Sequence, residues 1–423
     1  GSTLGTLRLE GNTSGYVQIQ SSAAAGSWTM TLPTSDGDAN QVLATNGSGV
    51  LSWAADAGSV STTPIVVQGR LTLTTAVPVT TSDVTAATTV YFTPYNGDKI
   101  ALFNGTSWAI SEFTEKSIKT TDSSIGGTAT QGSAVITGLT PGTSAQLMRG
   151  MEVTGAKIPA SSTISSIDSA TQITINNMVS ETTGATDLTF KLPASKNYDV
   201  FYVQGSSKLQ FSNSWSGDTT RTDAISLQNG IYVNTSAINS ADSNTIAATT
   251  GTYLGTIRTT ATAGQTEDSF GGASQSGGHR YVWNMYNRVP RNIGVIDTTN
   301  SWTYTTATWR QADAASGNKV EVVLGLADTL IEANTHASHS ASSGIGLGTG
   351  VGIDSTTVNS AQITGSLGNG AYGEVNSTYK GYPGLGYHAL NWLEISAASG
   401  TTTWFGDQSV TYNQSGLLCS VVM

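Results

Sequence analysis

The chain has 423 residues, with 18 Lys or Arg, 28 Asp or Glu and 48 Gly. Charge is thus carried by 11% of the sequence, under half of the roughly 25% usual in soluble domains, yet 38% hydrophobic and 8% aromatic residues can build a core that a disordered chain lacks. A net charge of −10 opposes nucleic-acid binding, which needs clustered Lys and Arg against phosphate, and no apolar run approaches the about 18 residues of a membrane helix, so no membrane insertion is expected.

Residues 1–58 read as an extended N-terminal segment. They open on Gly1 to Gly5 without the basic region and apolar stretch of a secretory signal, which a processed chain would also lack. Gly, Ser and Asn interrupt short runs such as 16–20 and 30–33, and apolar side chains are too sparse for a closed core. A segment this thin stays flexible or takes its core from a neighbouring chain.

Residues 59–122 form the first part of a β domain. Asn-Gly falls at 46–47, 96–97, 104–105, 229–230 and 369–370, and Asp-Gly at 36–37. Between apolar runs this pair signals a hairpin, because a type I′ turn needs two residues that tolerate positive φ. Residues 99–110 are expected to pair around a two-residue loop that sets Ala101 opposite Trp108, and 224–234 form a second hairpin. Residues 123–188 change texture: Gly, Ser, Thr and Ile dominate and aromatics vanish until Phe190. This segment reads as a small β domain inserted into a host of 59–122 and 189–300.

Residues 301–423 suffice for one C-terminal β-sandwich. The window 318–332 comes closest to a helical pattern, but Val320, Val322, Val323, Leu324 and Leu326 suit a strand equally well. No fixed-period repeat supports a β-helix or propeller. The fold class is mostly β, in several small β modules with a sandwich or jelly-roll-like C-terminal domain.

Cys419 is the sole cysteine, so an intrachain disulfide is impossible; it reads as a small hydrophobe. His336 and His339 are the only close histidine pair, but residues i and i+3 of a strand face opposite ways, so metal: none is the reading, and no cofactor is expected. Gly recurs every second residue over 344–352, which is the strand period rather than a dinucleotide fingerprint and suits close packing. Glu267/Asp268 and Asp36/Asp38 are carboxylate pairs of the kind glycoside hydrolysis needs, but neighbours on a strand diverge. No Gly-x-Ser-x-Gly with a suitable Asp and His is present, so no catalytic residues are assigned. Trp283, Tyr286, Arg288 and Arg291 make the densest aromatic–basic cluster; the first three are candidates for a subunit or glycan contact, or the cluster is an amphipathic strand closing the domain. Tyr372, Tyr379, Tyr382, Tyr387, His388 and Trp392 lie in a Gly-rich stretch where aromatics suit glycan stacking. Tyr379, Tyr382, Tyr387, His388 and Trp392 are the candidate receptor-binding residues, the alternative being core aromatics.

Residues 32–53 resemble a linker-like module of bacteriophage fibre and virion structural proteins. Residues 151–188, with 153–159 and 164–168, resemble another small β module of phage appendages. Residues 69–73, 253–260, 265–269 and 280–290 are similar to a domain of phage tail-fibre and head-fibre proteins, and 398–407 to their C-terminal part. The resemblance implies a non-enzymatic virion protein, an elongated homotrimer whose N-terminal segment anchors it to other virion proteins. Its C-terminal domain would then face outward for adsorption to a host-surface glycan. The alternatives are a capsid decoration spike without receptor, a polysaccharide-degrading tailspike and a bacterial surface adhesin. Three chains around an axis can complete the core that 1–58 lack, and paired edges remove open strands.

Overall fold

The computed structural model describes residues 6–20, 22, 26–39, 41–55, 66–140, 147–182, 186–205, 207–238, 245–272, 275–368, 370–410 and 412–423. The chain is mostly β, with no α-helix among the described residues and one short 3₁₀ turn at Ala312–Ala314. It divides into two units, Gly1–Thr62 and Thr63–Met423.

The smaller unit holds two hairpins. Thr6–Glu10 pairs with Tyr16–Gln20 and Gln41–Thr45 with Leu51–Ala55. In the first, Leu7 lies opposite Ile19 and Leu9 opposite Val17, so the period of two gathers four aliphatic side chains on one face. That face is uncovered: Leu7 is 57% exposed and Ile19 51%. Arg8, on the other face, stacks on Tyr16 at 3.6 Å. The second hairpin turns at Asn46, whose side-chain oxygen accepts the Ser48 amide at 2.8 Å.

In the larger unit, Gly69–Thr72, Thr89–Pro94 and Lys116–Lys119 form a three-stranded sheet. Lys99–Phe103 and Trp108–Glu112 form a hairpin, but Trp108 faces Phe103 and Ala101 faces Ile110. The loop is four residues rather than two because the Asn104 side-chain oxygen accepts the Thr106 and Ser107 amides, each at 2.8 Å, an Asx turn that competes with the type I′ geometry. At 229–230 the expected turn is present: Asn229 and Gly230 have φ of 50° and 82°, and Gln228 faces Ile231. Asn96-Gly97 also turns with positive φ, but the strands it joins belong to different sheets. Asn369 lies outside the described residues.

Between 121 and 191 the strands pair only with one another, in the order Glu152–Gly155, Thr186–Lys191, Thr121–Ala129, Val135–Thr137, Gln172–Ile175, Ile164–Ser169. The chain enters and leaves this sheet on neighbouring strands, with Thr121 opposite Lys191, around buried Ile136, Ile173 and Leu188. Asn197–Val203 and Gly251–Arg258 are the centre of a further sheet buried along both strands.

The remaining two sheets share one core. The first contains Gly346–Ile353, Gly386–Ser396 and Lys319–Leu324, extended by His279–Arg280, Thr266–Asp268 and Val84–Ala87. The second contains Pro290–Asp297, Ser415–Val422, Ile331–Ala341, Thr402–Phe405 and Trp302–Thr303, with Tyr372–Gly381 beside Ile331–Ala341. Trp302 of the second meets Trp392 of the first at 6.2 Å, edge to face, and Thr349 donates to Thr335 across the gap at 3.1 Å. Residue 300 is therefore no break in packing. Pro290–Asp297 pairs along its length with Ser415–Val422, and Phe201, Tyr253 and Trp283 lie in the same core as Trp392 and Trp404. Window 318–332 is strand Lys319–Leu324 and the turn leading to Ile331. The glycine-rich strand is covered, not vacant: a Cβ at Gly350 would stand 2.5 Å from Asn359 and 3.0 Å from Trp309.

Candidate functional site

The residues singled out in the sequence are not gathered into one site, although Arg288 meets Trp283 and Arg291 meets Asp268. Trp392, His388 and Tyr379 are buried. Trp392 donates its indole N–H to Thr349 at 2.8 Å, and His388 Nδ1 lies 2.8 Å from Asp354. Tyr387 donates to Glu321 at 2.6 Å, under the Arg258 guanidinium 3.7 Å from its ring. Tyr379 points inward from the second sheet, whereas Tyr387, His388 and Trp392 belong to the first. Tyr382 alone of the five is open to solvent, at 64%. Trp392, His388 and Tyr379 are thus core, Tyr387 is half-buried beside a cleft it shares with Asp218, Asp354 and Asn391, and the five do not share one surface.

The aromatic–basic cluster closes the fold. Trp283 is fully buried, donates to Thr329 at 3.2 Å and carries Arg288 on its ring at 4.3 Å. Arg288 also pairs with Asp328 at 3.1 Å, and the Tyr286 hydroxyl accepts the Tyr232 amide at 2.9 Å. Burial pushes the Tyr286 hydroxyl up. Arg291 pairs with Asp268 at 2.9 Å.

The carboxylate pair 267–268 is split by the strand. Asp268 meets Arg280 at 2.8 Å as well as Arg291. Glu267 bonds the His279 ring, whose other nitrogen lies 2.9 Å from Glu321. Burial works against the charged imidazole, but the two carboxylates outweigh it and push His279 up to about 9. Glu321 is likewise disfavoured by burial, yet bonds from His279, Lys319, Tyr281 and Tyr387 hold it well below the usual range. His336 and His339 face opposite ways: His336 bonds Asn376 at 3.0 Å on the outer face, and His339 packs edge-on to Trp404 inside. No group of three or more His, Cys, Asp or Glu suited to a metal occurs among the described residues. Cys419 is buried, which raises its thiol.

One surface does gather open polar and aromatic groups. Ile331–Ala341 and Tyr372–Gly381 are paired so that Ser338 faces Glu374, His336 faces Asn376 and Asn334 faces Thr378. Their neighbours Ala333, Ala337, Val375 and Tyr379 fill the core, so the period of two puts these six on the outer face. A cleft of about 560 Å³ lies there against Ser338, Tyr372, Glu374, Phe405, Gln408, Tyr412 and Asn413. A second of about 390 Å³ lies against Asn334, His336, Asn376, Gln414 and Leu418. Tyr372 is 71% exposed and Tyr412 86%. The Tyr372 ring leans on Phe405 at 5.5 Å, and Ser338 donates to Asn413 at 2.7 Å. Tyr412 and Glu374 went unremarked in the sequence; seven residues separate Tyr372 from Tyr379, an odd step that sends them to opposite faces, and that count was the available signal.

No helix among the described residues is long and apolar enough to cross a membrane. No protein-family model matches the chain, and no curated protein matches it. Among solved structures, 71% of the chain aligns with 70% of a chain from "Structure of infectious bursal disease virus Gx strain", at 14% identity and a TM-score of 0.20. So slight a likeness carries no argument here.

Proposed function

We propose that the chain is a structural subunit of a bacteriophage virion, one of three copies in a tail or head fibre or spike, and performs no catalysis. The carrying observation is the uncovered aliphatic face of the first hairpin, Leu7, Leu9, Val17 and Ile19. An isolated two-stranded hairpin is at best marginal in water, and burying one such side chain contributes roughly 1.5–3 kcal/mol. Identical faces from two further copies would supply the missing cover, forming the trimer core, while the remainder of 1–58 attaches to other virion proteins. Residues 301–423, a two-sheet sandwich in this reading, are available for host-surface adsorption. Three weak sites held together gain avidity without any new contact. The resemblances at 32–53, 151–188 and 253–290 support the same reading.

Light scattering on the full chain tests it. A particle of three times the 43.6 kDa protomer is expected, and a stable monomer overturns the proposal.

The burial of three of the five expected receptor residues, Tyr379, His388 and Trp392, favours a second reading, a capsid decoration spike with no receptor. Removing 301–423 cannot separate the two, because those residues complete sheets begun before 300. Surface substitutions that spare assembly are needed: reduced particle adsorption supports the receptor role, and unchanged adsorption the decorative one.

A further inference from the structure

The two clefts on the outer face of the C-terminal sheet are neighbours. Ser338 and Glu374 line one, His336 and Asn376 the other, and each pair is one two-residue step from the next. From Asn334 to Ser340 the face runs about 20 Å, at roughly 3.3 Å per residue. This is the length of a chain-like ligand rather than of one small molecule.

The lining states the ligand's chemistry. Side-chain amides and hydroxyls are interspersed with apolar surface from Tyr372, Phe405 and Tyr412 in one cleft and Val295, Ile296 and Leu418 in the other, and neither cleft is lined by Lys or Arg. Lys380, on the same face, is paired with Glu332. A carboxylate, sulfate or phosphate would find no cation here and would meet the open carboxylate of Glu374 in a chain already at −10. What the lining offers is two exposed tyrosine rings, Tyr372 leaning on Phe405 and Tyr412 open to solvent, and such rings present a large apolar surface at small entropic cost. Beside them stand unspent hydrogen-bonding groups: the Asn376 NH₂ remains after its oxygen has bonded His336, and the Asn413 NH₂ after its oxygen has accepted Ser338. Glu374 can accept from hydroxyls.

We propose that this face binds an uncharged oligosaccharide, its sugar faces stacked on Tyr372 and Tyr412 and its hydroxyls donating to Glu374 and accepting from Asn376 and Asn413. The proposal rests on the adsorption reading above and names its ligand class and residues.

The test uses the full chain on an immobilised array of neutral gluco-, galacto-, manno- and N-acetylhexosamine oligomers beside sialylated and uronate-bearing ones. Wild type should bind neutral members only. Tyr372→Ala with Tyr412→Ala should weaken binding about tenfold or more, the scale of losing two stacking contacts. Leu227→Ala, an exposed side chain outside both clefts, should leave binding unchanged, and Glu374→Lys should admit the uronates. All these side chains are on the surface, and an unchanged circular dichroism spectrum confirms folding. Preference for acidic glycans, indifference to the double substitution, or no binding to any member overturns the proposal. A change of oligomeric mass in the double variant also overturns it, by making the face an interface between copies. Trimer mass is read separately by light scattering, so failure of the glycan site leaves the assembly reading standing.

Discussion

The hairpin of Thr6–Glu10 and Tyr16–Gln20 and the strand pair of Ile331–Ala341 and Tyr372–Gly381 are written in one pattern, apolar and polar side chains alternating on antiparallel strands. In the second, Ala333, Ala337, Val375 and Tyr379 are buried under a facing sheet. In the first, Leu7, Leu9, Val17 and Ile19 are each more than half exposed among the described residues. Alternation specifies which residues share a face; whether that face is covered depends on what the rest of the chain, or another chain, brings to it.

The contrast can be broken from the larger unit first. Arg221 is almost buried against Asp199 at 2.7 Å and also donates to Tyr253 at 2.9 Å. Replacing it by Met strands a buried carboxylate and should cost about 3–5 kcal/mol, read as a lowered denaturation midpoint. Trp392→Ala, which empties the centre of the shared core, should cost a similar ~3–5 kcal/mol. The smaller unit should answer differently. Leu7→Ser with Ile19→Ser should leave the main melting transition within about 0.5 kcal/mol, as surface substitutions do, while light scattering should show loss of the proposed trimer. A large drop in melting temperature without loss of mass would mean that this face serves the protomer's own stability.

A further test is pH. His279 titrates near 9 in the folded chain against about 6.5 unfolded, because Glu267 and Glu321 flank it on neighbouring strands, with Tyr281 stacked at 5.0 Å and Lys319 bonded to Glu321. A raised folded value means that its contribution is complete below about pH 6.5 and lost as pH rises through 9. Melting temperature should therefore decline from pH 7 to 10, and His279→Gln should flatten that decline. An unchanged slope in the variant would assign the effect elsewhere.

The β class, the Asn229-Gly230 turn, the covered glycine strand and the thin core of 1–58 were legible because each depends on neighbours in sequence or on composition. The continuity across 300 was not. It depends on pairs such as Pro290 with Val422, and aromatic texture says nothing about which distant strand completes a ladder. Density of tyrosines pointed to the strand Tyr372–Gly381 but mixed its two faces, since Tyr379 is buried and Tyr372 exposed. At 104–107 the same Asn-Gly that suggests a two-residue turn holds a longer one, since a side-chain oxygen can replace a backbone acceptor.

The pairing of Pro290–Asp297 with Ser415–Val422 has a consequence for biosynthesis. The ribosome must add more than a hundred residues between the two strands, roughly 6–24 s at 5–20 residues per second. Until then Ile331–Ala341 also lacks its partner in Ser415–Val422, and Arg70 waits for the Met423 carbonyl that it bonds at 3.1 Å. Nascent chains stalled before 415 should accordingly be cut by protease within 290–341 and protected once 423 has emerged; protection at both lengths would refute this order. The sheet that carries the candidate site thus cannot close until Ser415–Val422 has been made, long after its partners Pro290–Asp297 and Ile331–Ala341.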